Sequence, residues 1–387
     1  MFSSQKGRPP SLVLRGLYRN LDRAQRQSQI GTHHSARCQL GATCVGSADA
    51  CKDLFRFIRS HSVRSPASAQ QVLAAAAPVA PLPALRKIPS SLSEIDNGKI
   101  LGFGADLAAD HPGFGDEPYK RRRVSIAELA RDHQVGDPIP RIDYTPEEVQ
   151  TWGTVLRELT QLYPQHACQE YLHNFPLFNF KEAEVPQLED MSRILKNTTG
   201  WQIRPVAGLL HPRDFLNGLA FSTFHSTQYV RHHSKPMYTP EPDVCHELLG
   251  HVPMLADPAY CDLVQNIGVA SLGADEKQIW HLTKLYWFTV EFGVVREGDQ
   301  VKGFGAGVLS SYGELQHMAS GLPKLVDFDP FAAQPKMSYK DGYQKQYFVL
   351  NSFKEGAKQL LDYCLSITDP DVVTQHLQNL NRSKISP

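Results

Sequence analysis

Cysteine is scarce in this chain and shows no pairing pattern. The seven residues Cys38, Cys44, Cys51, Cys168, Cys245, Cys261 and Cys364 are scattered, odd in number and form no CxxC pair. That argues against a disulfide framework and a thiolate zinc site, and it suits a reducing compartment. Long apolar runs are missing too. The longest apolar tract, from Val72 to Leu85, is rich in alanine and broken by prolines, far from the roughly 18 unbroken apolar residues a membrane helix needs. Nor is either sign of charge in excess. Lys+Arg and Asp+Glu number 40 each, so nothing favours a phosphate backbone or an anionic membrane as partner, and neither nucleic acid nor membrane is expected.

One stretch lacks acid. Residues 1–85 contain no glutamate and only Asp22, Asp49 and Asp53, against eleven basic residues from Lys6 to Arg64. Arg- and Ser-rich, acid-poor composition is that of an organelle transit peptide. Ser11 to Ile30 can wind into a basic amphipathic helix, and Ala74 to Ala77 leads through Pro78, Pro81 and Pro83 into the next block. The alternative is a disordered basic segment that stays attached. The apolar core of a secretory signal is missing. Composition leaves plastid and mitochondrion equally open at this point.

From Lys87 onward the charges balance and helical spacing dominates. Apolar residues recur at three- and four-residue intervals over Ser125 to Arg131, Pro146 to Tyr163, Val185 to Lys196, Ala259 to Gly273, Asp275 to Gly293 and Gly313 to Ser320. Thr145-Pro146-Glu147-Glu148 supplies a cap, a first-turn proline and two first-turn carboxylates. Strand signals are short: Ile203 to Ala207, and Val301 to Val308 with its three glycines. The pattern predicts a mainly α single domain over residues 86–387 with minor β hairpins. At 41% hydrophobic residues the material suffices for a large core.

The chemistry concentrates at His246-Glu247-Leu248-Leu249-Gly250-His251, preceded by Tyr238-Thr239-Pro240-Glu241-Pro242. Zinc peptidases place two histidines four apart, about 40° from one another on an α-helix. Five apart, as here, the separation is about 140°, so the two cannot share a metal unless the helix ends or bulges between them. Gly250 is the expected break, as a left-handed C-cap, with Pro253 preventing the helix from resuming. Glu291, inside the apolar run Tyr286 to Phe292, is the candidate third ligand, because an unpaired carboxylate is costly to bury there; taken by itself, it reads more readily as the partner of a distant arginine. Two histidines and one carboxylate with open positions suit non-haem Fe(II) and O2. A zinc hydrolase with Glu247 as general base is the competing reading.

With these residues in place, the stretch from Ile88 to Pro370 resembles the catalytic domain of the pterin-dependent aromatic amino acid hydroxylases. The matching segments are Asp110 to Phe114, Pro138 to Arg141, Trp152 to Val155, Arg204 to Leu210, the His246 motif, Tyr286 to Gly293 and Gly305 to Glu314. The resemblance implies a helical basket with a few short strands, Fe(II) on His246, His251 and Glu291, and O2 as co-substrate. It further implies an amino acid substrate whose carboxylate meets Arg231, helped by Thr239 and Ser310, and whose ring lies by Trp287 and Pro242. The guanidinium fork suits that bidentate task. A reduced pterin of the tetrahydrobiopterin type would stack on Phe215 and meet Gly208, Leu209, Leu210 and Glu247. A reduced folate is its possible substitute.

Trp287 makes the sequence most similar to the phenylalanine and tyrosine branches, and phenylalanine is the expected substrate, with the same chemistry on tyrosine or tryptophan as the alternative and discrimination from tyrosine resting on a loop around Lys336 to Tyr343. The sequence departs from the animal pattern at both ends. Residues before Lys87 do not resemble a regulatory domain, and the tail from Asp369 lacks the heptads of a tetramerisation helix. A monomer or homodimer is expected, in the plastid, with mitochondrion or cytoplasm as alternatives.

Overall fold

Thr145 begins its helix as the sequence predicts. In the computed structural model, its hydroxyl accepts the Glu148 N–H at 3.2 Å and the Glu148 carboxylate accepts the Thr145 N–H at 2.8 Å, a reciprocal cap. The helix Pro146–His166 that follows buries Trp152, Leu159 and Tyr163. The structure describes residues 88–103, 106–337, 342–369, 371–372 and 376. The expected transit segment, 1–85, lies outside them, as does 338–341 of the loop around Lys336 to Tyr343.

The expected helices are all present, with shifted ends. Glu117–Asp132 starts earlier than Ser125, because the Asp116 carboxylate caps the Tyr119 N–H at 3.0 Å and Pro118 fits the first turn. Leu188–Thr198, Pro258–Ser271 and Tyr312–Ala319 follow, the first beginning after Pro186. Pro258–Ser271 is the central element. It is apolar on nearly every side and packs against Pro212–Ala220 and against Phe353–Ile367, a helix the periodicity did not reveal. No helix among the described residues is long and apolar enough to cross a membrane.

Strands are short, and Thr223–Ser226 is buried throughout. Ile100–Phe103 pairs antiparallel with Gly208–Leu210, and Gln202–Pro205 runs parallel to Thr223–Ser226. A four-stranded sheet has the order Gln300–Gly303, Val294–Glu297, Gln346–Leu350, Lys324–Asp327. Only its first pair is a hairpin. The expected strand Val301 to Val308 is correct only as far as Gly303. Beyond it the chain forms the short helix Ala306–Leu309, because the glycines serve close packing rather than pleating.

Candidate metal centre

His246 ends the short helix Val244–His246, and His251 ends the π turn Glu247–His251 that continues it. The Val252 N–H donates to the Glu247 carbonyl five residues back, at 3.2 Å. This wider turn brings residues five apart onto one face, as regular α geometry would not. The two Nε2 atoms stand 3.2 Å apart. The expectation that Gly250 ends the helix in a left-handed conformation is therefore corrected. Gly250 is not among the positive-φ residues, and its small size has another cause: a Cβ there would sit 2.8 Å from the Ala306 carbonyl oxygen. Pro253 has no N–H to offer the Leu249 carbonyl, and the buried Tyr171 hydroxyl donates to that carbonyl at 2.8 Å instead.

Glu291 arrives on a second π turn, Trp287–Glu291, at the end of the helix Glu276–Tyr286. The expected single helix Asp275 to Gly293 thus changes pitch at Trp287, with the Phe292 N–H donating to the Trp287 carbonyl at 2.9 Å. Glu291 Oε1 lies 3.2 Å from His251 Nε2 and Oε2 lies 3.5 Å from His246 Nε2. The segment after Gly303 locks both turns together. A Cβ on Gly305 would meet the Glu291 carbonyl oxygen at 2.4 Å, while Ala306 fills the space Gly250 leaves.

Electrostatics separates the two carboxylates beside the histidines. Burial acts to raise the Glu291 pKa, but the two imidazoles outweigh it and hold it at about 2. Burial pushes the Glu247 carboxyl well above its usual range, opposed by the Thr227 N–H and reinforced by Glu291. Glu247 lies 4.0 Å from His251 and accepts the Thr227 N–H at 3.2 Å. Glu291 is accordingly the anionic partner of the imidazoles. Burial lowers the His246 pKa to about 4, against the pull of Glu291, so both lone-pair donor types are in the form a metal requires. Two imidazole nitrogens and a carboxylate, mutually 3.2–3.5 Å apart, fit a divalent iron or zinc ion by donor chemistry.

The surrounding residues are placed unevenly. Ser310, expected on the substrate, has its hydroxyl 2.8 Å from His246 Nδ1 and orients that ring. Arg231 is buried and paired with Asp243, through Nε at 3.0 Å and Nη2 at 2.7 Å, while Nη1 donates to the Pro236 carbonyl at 3.2 Å. Asp243 also accepts the His246 N–H at 3.1 Å, so one carboxylate joins the cation to the histidine turn. Burial acts to raise its pKa, and Arg231 outweighs that and lowers it. The sequence reading missed Asp243, although an aspartate three residues before His246 is a cap signal. It also passed over Tyr286, whose ring lies between Phe215, at 5.1 Å edge-on, and His251, at 6.4 Å stacked.

Phe215 is half-buried. The Thr239 hydroxyl donates to the Glu241 carbonyl at 2.7 Å, and Pro242 is exposed. Trp287 opens the second π turn with its ring 4.7 Å from that of Phe292. Gly208–Leu210 pairs with Ile100–Phe103, and Leu209 is exposed.

The sequence profile described as biopterin-dependent aromatic amino acid hydroxylase matches residues 86–381. The chain belongs to that family. The hydroxylase is 66% identical over 281 residues to the chloroplastic phenylalanine 4-monooxygenase of Chlamydomonas reinhardtii, covering 73% of this chain and 78% of the relative. The chloroplastic phenylalanine 4-monooxygenase of Pinus taeda is 62% identical, with 73% and 80% covered. Among solved structures, the phenylalanine hydroxylase of Chromobacterium violaceum with bound iron(III) and 7,8-dihydrobiopterin aligns at TM-score 0.56 and 30% identity, covering 70% of the hydroxylase and 93% of that chain. The fold is therefore the mainly α catalytic fold anticipated from the sequence.

Proposed function

We propose that the chain hydroxylates phenylalanine to tyrosine with O2, Fe(II) and a reduced pterin, and that His246, His251 and Glu291 hold the iron. The convergence of those three side chains carries the reading. Iron so bound, with the pterin as reductant, supplies activated oxygen for the aromatic ring. The protein's own share is positional. Arg231 has five N–H donors. Three are taken by Asp243 and Pro236, and the remaining two form a fork for the substrate carboxylate. Ser310 fixes the His246 ring, and Thr239 lines the approach to Arg231. Trp287 and Pro242 border the substrate ring. Phe215 stacks on the pterin, while Gly208, Leu209, Leu210 and Glu247 meet its polar edge. The zinc hydrolase reading loses support because Glu247 is engaged with Thr227.

Residues 1–85 act as a plastid transit peptide on this reading, which the chloroplastic names of similar relatives favour, and residues 86–387 form the catalytic unit. The enzyme is a monomer or homodimer. Anaerobic loading with Fe(II), followed by O2 and a tetrahydropterin, should convert phenylalanine to tyrosine faster than it hydroxylates tyrosine or tryptophan. Parallel turnover with a reduced folate tests the alternative reductant. No hydroxylated product from any aromatic amino acid would refute the reading.

A further inference from the structure

A second group of imidazoles and carboxylates lies outside this centre. Asp116, His232 and His233 bring one ligating atom each to within 4.8 Å of one another. His232 Nε2 is 3.2 Å from Asp116 Oδ2, and the His232 and His233 rings lie 4.3 Å apart. Each group is aimed by a neighbour. Asp116 is fixed by its other oxygen, which accepts the Tyr119 N–H at 3.0 Å. The Ser234 hydroxyl stands 2.7 Å from His232 Nδ1 and the Ser234 N–H donates to the same Nδ1 at 3.3 Å, so Nε2 carries the ring proton towards Asp116 and gives it up to solvent when an ion binds. Glu147 Oε2 lies 3.2 Å from His233 Nδ1. A Tyr119 ring edge-on at 4.8 Å walls the His232 side.

Partners on the outer nitrogen and on the outer carboxylate oxygen are what orient side chains towards a shared ion. We propose that Asp116, His232 and His233 form a second divalent-metal site, selective for imidazole-preferring ions such as Zn2+, Co2+ or Ni2+ over Mg2+ or Ca2+. His233 is exposed, so exchange is open to solvent, unlike at the buried centre. The site adjoins Arg231 in the chain, whose backbone N–H is tied to Asp243 at 2.8 Å. Occupation therefore strains the turn that sets the guanidinium and weakens amino acid binding, a consequence that rests on the proposed role of Arg231.

Titration calorimetry of the Fe(II)-loaded enzyme with Zn2+ under anaerobic conditions tests the site, with iron release followed in the filtrate. The expected result is one equivalent of zinc bound without iron release. Asp116→Asn, which keeps the helix cap, and His233→Ala should each weaken zinc binding by about tenfold or more, with turnover in zinc-free buffer unchanged. Absence of zinc uptake without iron loss, or unchanged affinity in both variants, would overturn the site. In steady-state assays bound zinc should raise KM for phenylalanine about fivefold with kcat unaltered. Zinc uptake with unchanged KM would overturn the link to Arg231 and leave the site standing.

Discussion

The helix Pro146–His166 and the two π turns Glu247–His251 and Trp287–Glu291 are built by opposite means. The first is specified locally: a reciprocal Thr145/Glu148 cap, a first-turn proline, and a buried stripe of Trp152, Leu159 and Tyr163. The π turns depend on distant residues. Tyr171 supplies the donor that Pro253 cannot, Ala306 occupies the space beside Gly250, and Gly305 lies against the Glu291 backbone. The ligand segments are thus held in an uncommon pitch by tertiary contacts, while the frame around them holds itself.

That contrast can be broken at four places, in falling order of effect. Glu291→Ala removes the anionic partner of both histidines and should lower activity by well over about 100-fold, since even an outer-shell partner is worth about 10–100-fold. Metal content after dialysis and tyrosine yield are the readouts. Gly250→Ala pushes a methyl into Ala306 and should destabilise the fold by about 1–3 kcal/mol while lowering iron affinity. Urea unfolding together with metal titration separates the two effects, and intact affinity would mean the turn does not depend on that contact.

Acid gives the third. His225 is fully buried and burial lowers its pKa from 6.5 to about 3. Below about 6.5 the unfolded chain therefore takes up a proton that the folded one refuses, and stability falls as pH drops towards 3. Between pH 7 and pH 5 the loss from this group is about 2 kcal/mol. Urea midpoints across that range should show it, and the slope should flatten in His225→Asn. Smallest is Thr145→Ala, expected to cost about 1 kcal/mol of stability with kcat and KM unmoved. A loss of activity there would show that the frame and the ligand turns are less separate than described.

The same contrast explains what was legible in the sequence. Helix spans with capping signals, such as Thr145 to Glu148, could be read because cap and periodicity lie within a few residues. The convergence of His246 and His251 was legible from the i, i+5 paradox, which demanded a break or a bulge, and Glu291 from the apolar run around it. Which of the two occurs was not, because it is decided by Ala306 and Tyr171, far away in the chain. The glycines from Gly303 to Gly307 read as a broken strand because close packing leaves no periodic signature. Asp243, which ties Arg231 to His246, was masked by its neighbours in the motif. Helix Phe353–Ile367 and the parallel strand pairs rest on packing against Pro258–Ser271 and on pairing across long separations, which no local pattern records.

X-ray absorption spectroscopy or a crystal structure of the Fe(II)-loaded enzyme addresses the two-turn centre most directly. The expected coordination is one imidazole from each of His246 and His251 and a carboxylate from Glu291, with further positions open to solvent. Iron ligated by Glu247 in place of Glu291, or bound by only one of the two imidazoles, would contradict it.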